Sequence, residues 1–112
     1  MLVADIQRWM EELAPLCLAE EWDNVGLQIG EQAGVISAVL VCLEVNDAVV
    51  DQALQKNAQL IVAHHPLIFT PLRTLRTDDA HEMLIVRMVR GCLSLYVAHT
   101  NLDSAPGGLG DW

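Results

Sequence analysis

Apolar residues recur at helical spacing near the N-terminus. Leu2, Ile6, Trp9, Met10 and Leu13 fall on one side, with Asp5, Arg8, Glu11 and Glu12 on the other. The spacing predicts a helix, and Pro15 predicts its end. The polar stretch from Glu20 to Gly26 has turn chemistry, and Leu27 to Gly30 predicts a short strand. Ile36 to Leu43 is β-branched and nearly continuous in apolar residues, the pattern of a buried strand. Asn46-Asp47 can cap a helix in which Val49, Val50, Ala53 and Leu54 share a face. Leu60 to Ala63 predicts a further buried strand that runs into His64-His65-Pro66. Residues 66–77, with Pro66, Pro71 and two arginines, predict a loop. A helix is expected from Thr77 or Asp78 to about Arg90, with Leu84, Ile85, Met88 and Val89 inward and Gly91 placed to stop it. Leu93 to Val97 predicts the last strand, which leads to His99-Thr100-Asn101-Leu102-Asp103.

The order is a helix followed by β-β-α-β-α-β. Strands alternating with helices imply an α/β fold: a mostly parallel sheet flanked by helices, with right-handed crossovers. Residues 1–112 are long enough for a single domain, and the chain contains neither an internal repeat nor a linker.

Composition changes this picture in one respect. The chain is 53% hydrophobic and only 19% charged, which is apolar for a small domain. Strands buried on both faces account for part of this, and apolar surface covered by another chain, or by more of this one, accounts for the rest. Charge excludes one partner class. Fifteen acids against six bases give a net charge of −9, and there is no basic stripe, so duplex nucleic acid is not expected to bind. Cys17, Cys42 and Cys92 are widely spaced and sit in apolar sequence, as expected for buried, reduced thiols of a cytoplasmic protein. The N-terminus lacks the basic flank and apolar core of a signal peptide. The longest apolar run, Val35 to Leu43, is too short to span a bilayer.

The candidate chemistry lies at two strand ends. His64 and His65 follow one predicted strand, and His99 and Asp103 follow another. Ligands in open α/β sheets bind beyond the carboxyl ends of the strands, so three imidazoles and a carboxylate are expected at one edge. Such a set binds Zn, Mn, Fe, Co or Ni without choosing among them. Adjacent residues of an extended chain point in opposite directions. His64 and His65 therefore suit two different metals, or need a turn between them; Pro66 biases His65 towards extended backbone and favours the first. Asp103 has two oxygens and could bridge. Each residue alone has a blander reading. A His-His pair is more often surface than ligand, a strand-end Asp is usually a turn or cap residue, and His81, in the first turn of a helix, is expected to be solvated.

Four blocks together resemble the Nif-three-like family, also described as dinuclear-metal-centre proteins or GTP cyclohydrolase I type 2 homologues. They are Glu21-Trp22-Asp23-Asn24-Val25-Gly26-Leu27-Gln28-Ile29-Gly30, the run Leu60 through Phe69, His99 through Asp103, and Gly107-Gly108. The resemblance implies the N-terminal half of the Nif-three-like fold. It implies that His64, His65 and Asp103 are ligands of two divalent metals, with Asp103 bridging, His99 in or beside the ligand shell, and the Trp22–Gly30 block lining the site. It also implies a homo-oligomer, often a hexamer, which would explain the excess of apolar residues. Family chains are at least twice this length, and their C-terminal part supplies another His and a Glu to the metals. The chain is therefore expected to be a fragment or a short version of a two-part family chain. Its other departures are Glu44 in place of Asp, Asn57 in place of Gly, and Gly110 in place of Asn before Asp111.

Two functions follow from this. One is a dinuclear-metal-dependent hydrolase acting on a small molecule or nucleotide, as the cyclohydrolase kinship suggests. No Walker-type phosphate loop supports a GTP substrate, although Arg73 and Arg76 could hold phosphates. The alternative is a non-enzymatic metal-binding scaffold or regulatory protein that works through its oligomeric surface.

Overall fold

The computed structural model describes residues 1–108. Helix α1 (Val3–Leu13) precedes β1 (Gly26–Ile29) and β2 (Val39–Cys42); α2 (Asp47–Gln55), β3 (Leu60–Ala63), α3 (Ala80–Arg90), β4 (Ser94–Val97) and α4 (Thr100–Ser104) follow. The strands form one sheet in the order β1-β4-β3-β2. β2 with β3 and β3 with β4 are parallel, as the alternation of elements predicts. β1 runs antiparallel to β4, Gly26 opposite Val97, so the sheet is mixed rather than wholly parallel.

Local chemistry accounts for the element ends. Asp5 accepts a hydrogen bond from the Leu2 amide at 2.8 Å and so satisfies a free donor at the start of α1. Asn46 caps α2 by accepting from Val49 N–H, and Asp79 caps α3 by accepting from Glu82 N–H. The start of α3, at Ala80, is thus two or three residues later than Asp78 or Thr77. Helices α2 and α3 end in the same way. The residue after each cap is left-handed, Asn57 at φ 54° and Cys92 at φ 55°. Ala58 N–H then donates to Ala53 C=O, and Leu93 N–H to Met88 C=O, both at 2.9 Å. These are Schellman closures, which turn each helix into the strand behind it. Asn tolerates the left-handed region better than most residues, so Asn57 can hold this position.

Two apolar layers enclose the sheet. One face packs Ile61, Ala63, Leu95 and Val97 against Val50 and Ala53 of α2 and Leu84, Ile85 and Met88 of α3. The other packs Leu60 and Tyr96 under Val3, Ile6 and Met10 of α1. The covered side of α1 differs from the predicted one: Trp9 and Leu13 are exposed, because the apolar arc is wider than the strip of sheet beneath it. The predicted Ile36–Leu43 strand is shorter and is half-buried on one face only. As an edge strand beyond the reach of α1, β2 leaves Val41 77% exposed and Leu43 63% exposed. The cysteines also depart from expectation. Cys17, in a 3-10 turn over Leu16–Leu18, and Cys92, in the turn after α3, are exposed, whereas Cys42 is half-buried. All three are free thiols. Gly110 lies outside the described residues. Among the described residues, no helix is long and apolar enough to cross a membrane.

Candidate metal centre

The parallel pairing of β3 and β4 sets Ala63 beside Val97, so the chain leaves both strands at one edge of the sheet. His64 and His65 follow Ala63 directly, and His99 follows Val97 by two residues. One ring atom from each of the three imidazoles lies within 4.8 Å of the others. All three are partly buried. The ring centroids of His64 are 5.3 Å from His65 and 5.1 Å from His99.

Of the two alternatives for His64 and His65, opposite directions or a turn between them, the structure has the turn, with ring centroids 5.3 Å apart. The ladder ends at Ala63, and the chain bends at both histidines, so strand alternation no longer applies to them. Their amides still reach back to the end of β2: His64 N–H to Cys42 C=O and His65 N–H to Leu43 C=O.

Asp103 lies in α4, a five-residue helix in a segment whose polar sequence predicts only a strand end. Its carboxylate approaches one imidazole, with Oδ1 3.6 Å from His64 Nε2, and stands outside the tight trio of rings. The side chain is 44% exposed.

Two of the rings have a defined orientation. His64 Nδ1 is 2.9 Å from the Ala98 carbonyl oxygen. A carbonyl can only accept, so in the neutral ring the proton sits on Nδ1 and the lone pair on Nε2. His99 Nδ1 lies 3.2 and 3.1 Å from the two oxygens of Asp23. That carboxylate is fully enclosed, its side chain 0% exposed. Burial pushes the Asp23 carboxyl up, but the Thr100 hydroxyl, the Thr100 amide and His99 together outweigh burial and hold it below the ordinary carboxylate value. The donor set therefore fits a divalent transition metal: neutral imidazoles with at least two free Nε2 lone pairs and a carboxylate beside them.

The segment 22–30 contributes in ways the sequence reading did not resolve. Gln28 treats Ile68 as a strand would: its Nε2 donates to Ile68 C=O at 2.9 Å, and its Oε1 accepts from Ile68 N–H at 3.0 Å. Asn24 Nδ2 donates to the same carbonyl at 2.7 Å. His81 is bonded rather than merely solvated, with Nε2 2.6 Å from Leu67 C=O. The loop that follows His64-His65-Pro66 is thus held from both sides. Gln28→Ala is expected to leave the fold intact and to speed exchange of the Ile68 amide with solvent by an order of magnitude or more, read by hydrogen–deuterium exchange. An unchanged rate would mean that the loop is held without this pair.

Two exposed aromatic rings flank the site. Trp22 stands edge-on to His99 at 6.5 Å and packs on Phe69 at 6.0 Å. Of the two candidate phosphate-holding arginines, Arg76 is engaged by both oxygens of Asp78. Glu44 is exposed after β2. A cavity of about 480 Å³ lies at the opposite end of the sheet among Val3, Ile29, Gly30, Gln59, Leu93 and Ser94. The histidine end is assigned as the site on its three converging imidazoles; the cavity's lining contains no histidine.

The chain is similar to known proteins along its whole length. A family model described as Duf34/NIF3 (NGG1p interacting factor 3) matches residues 1–112. A "GTP cyclohydrolase 1 type 2 homolog" of Halalkalibacterium halodurans is 43% identical over 105 residues, which are 94% of this chain and 27% of that protein. One of the same name from Clostridium perfringens is 39% identical over 111 residues, 99% of this chain and 42% of that protein. The crystal structure of a Bacillus cereus protein related to NIF3 superposes with a TM-score of 0.94 at 41% identity, covering 99% of this chain and 30% of the other. The chain therefore spans well under half the length of these relatives.

Proposed function

The chain belongs to the Duf34/NIF3 family, and from that premise we propose that it binds divalent transition-metal ions, two of them in the complete site, and serves a metal-dependent hydrolase of the cyclohydrolase type. The observation that carries this reading is the convergence of His64, His65 and His99 within 4.8 Å at the carboxyl edge of the sheet. His64 and His99 would each offer Nε2, because Nδ1 of each is engaged, and His65 would complete the imidazole set. Asp103, 3.6 Å from His64, would supply the negative charge and bridge. Bound cations would supply Lewis acidity and an acidified water. Trp22 beside His99, with Phe69 packed on it, offers flat apolar surface, which suits a planar heterocyclic substrate.

Elemental analysis of the native-length protein, purified without added metal, tests the proposal beside the His64→Ala variant. Near-stoichiometric transition metal is expected in the former, and a loss of most of it in the latter. Metal-dependent turnover of a nucleotide, phosphoester or cyclic amide should then be found. A wild-type protein that holds no metal even after reconstitution would remove the proposal. Full metal loading without turnover across those substrates would remove the hydrolase part and leave a metal-binding scaffold.

A further inference from the structure

Asp23 is an unusual use of a carboxylate. It is fully enclosed, yet no lysine or arginine among the described residues pairs with it. Its partners are all donors from two short segments. Oδ1 accepts from Asn24 N–H at 3.0 Å. Oδ2 accepts from Thr100 N–H at 3.1 Å and from the Thr100 hydroxyl at 2.7 Å. His99 Nδ1 straddles both oxygens. The Thr100 hydroxyl also accepts from Glu20 N–H at 2.9 Å, which fixes it as a donor to Asp23. On the other side of the ring, His99 N–H donates to Asn101 Oδ1 at 2.9 Å. Asn101 is completely buried and donates in turn to Ala14 C=O. The backbone of His99 is thus held from one side and its ring from the other.

We propose that Asp23 is a positioning residue that holds His99 in the Nδ1–H tautomer, with the Nε2 lone pair aimed at the metal centre. The inference rests on the proposed metal-binding reading for its purpose, but not for its geometry. A carboxylate that accepts from one imidazole nitrogen fixes ring plane and tautomer and raises the basicity of the other nitrogen. Here the carboxylate comes from a segment some seventy residues from the histidine, so the first of the polar motifs in the chain acts through the last.

Asp23→Asn makes a sharp test, because the amide has one acceptor instead of two. Keeping both Thr100 bonds requires the amide oxygen at the Oδ2 position. The NH2 group then takes the place of Oδ1, 3.2 Å from His99 Nδ1, and leaves Asn24 N–H without its acceptor, while the oxygen at the Oδ2 position, 3.1 Å from Nδ1, has both lone pairs taken by Thr100. A donor there favours a bare Nδ1, which moves the ring proton to Nε2 and blocks the metal-facing lone pair. The tautomer is read from the ring nitrogen shifts of 15N-histidine-labelled, metal-free, native-length protein by NMR. Affinity is read separately by titration with Co2+ alone. In the wild type, His99 is expected as Nδ1–H. In Asp23→Asn it is expected as Nε2–H, with Co2+ binding weaker by about 10- to 100-fold. Thr100→Val removes one donor to Asp23 but leaves the carboxylate against the ring, so it is expected to keep Nδ1–H. It also covers the case in which Asp23→Asn fails to fold. A wild-type His99 protonated on Nε2 overturns the inference. So does a folded Asp23→Asn protein that keeps Nδ1–H or binds Co2+ as tightly as the wild type, and so does a tautomer switch in Thr100→Val. A wild type with no Co2+ affinity would instead bring down the metal-binding proposal, while the tautomer comparison would still decide what Asp23 does.

Discussion

Asp103→Ala is expected to weaken divalent-metal binding by on the order of 100-fold or more, which corresponds to about 2.7 kcal/mol or more. The reason is charge. The three converging rings are neutral ligands, and Asp103 is the carboxylate that approaches the cluster with a free oxygen, 3.6 Å from His64 Nε2. Asp23, the other nearby carboxylate, already serves Asn24, Thr100 and His99. Loss of Asp103 leaves a dication with no anionic ligand from these residues. The fold should survive. Asp103 is partly exposed, and its place in α4 depends on its backbone N–H donating to His99 C=O, which alanine retains. Isothermal titration with Zn2+ or Co2+, together with thermal melting of the metal-free protein, separates the two effects. The expected result is a large fall in affinity with little change in the metal-free midpoint. Equal affinity in the variant would show that Asp103 is not a ligand.

Gly30→Ala is expected to cost about 3 kcal/mol or more of stability, a large share of the total for a domain of this size. Two independent causes act at this position. The backbone φ is +109°, a region that side chains other than hydrogen disfavour. An added Cβ would also lie 2.0 Å from Ser94 Oγ, 2.5 Å from Ser94 Cβ and 2.9 Å from Ser94 Cα. The hydroxyl could rotate aside, but the backbone of β4 could not. Ser94 is itself buried at the start of that strand. Gly107→Ala is the matching control. Its φ is +75°, but nothing lies within 4 Å of the added carbon, so only the backbone cost of about 1 kcal/mol is expected. Urea unfolding of the three proteins makes the comparison. If Gly30→Ala falls no further than Gly107→Ala, β1 and β4 are not locked together at this point.

The parts of this molecule that were legible in its sequence are those fixed by local pattern. The helical spacing in α1 and the cap at Asn46 were readable because they depend on a few neighbouring residues, whereas the cap of α3 is Asp79 rather than Thr77 or Asp78. The alternation of strands and helices was enough to place His64, His65 and His99 at one edge, since parallel strands must end together. What stayed hidden depends on distance along the chain. No local signal says that β1 joins β4 antiparallel, or that Asp23 is buried against Thr100. Gln28 reads as a polar strand residue until Ile68 is seen beside it. Helix α4 is shorter than two turns, too short for periodicity to reveal. Whether His64 and His65 diverge or turn together stayed open, because strand geometry stops one residue too early to decide it. Burial of β2 was over-read because composition cannot tell a central strand from an edge.

The position of β1 in the sheet has a consequence for synthesis. β1 pairs with β4 alone, and Gly26 meets Val97. α1 likewise rests on Tyr96, a β4 residue, and on Leu60. A growing chain can bring β2, α2 and β3 together early, since these elements are consecutive and β2 is parallel to β3. β1 must wait until β4 has left the ribosome, and α1, which can meet Leu60 earlier, lacks Tyr96 until then. Closing that long loop carries an entropic cost that local helices and hairpins avoid, so it is expected to be the slow step. The histidines come together in the same event, because β4 delivers His99. The waiting interval is therefore the time in which this chain most needs a chaperone, and its end coincides with the birth of the site.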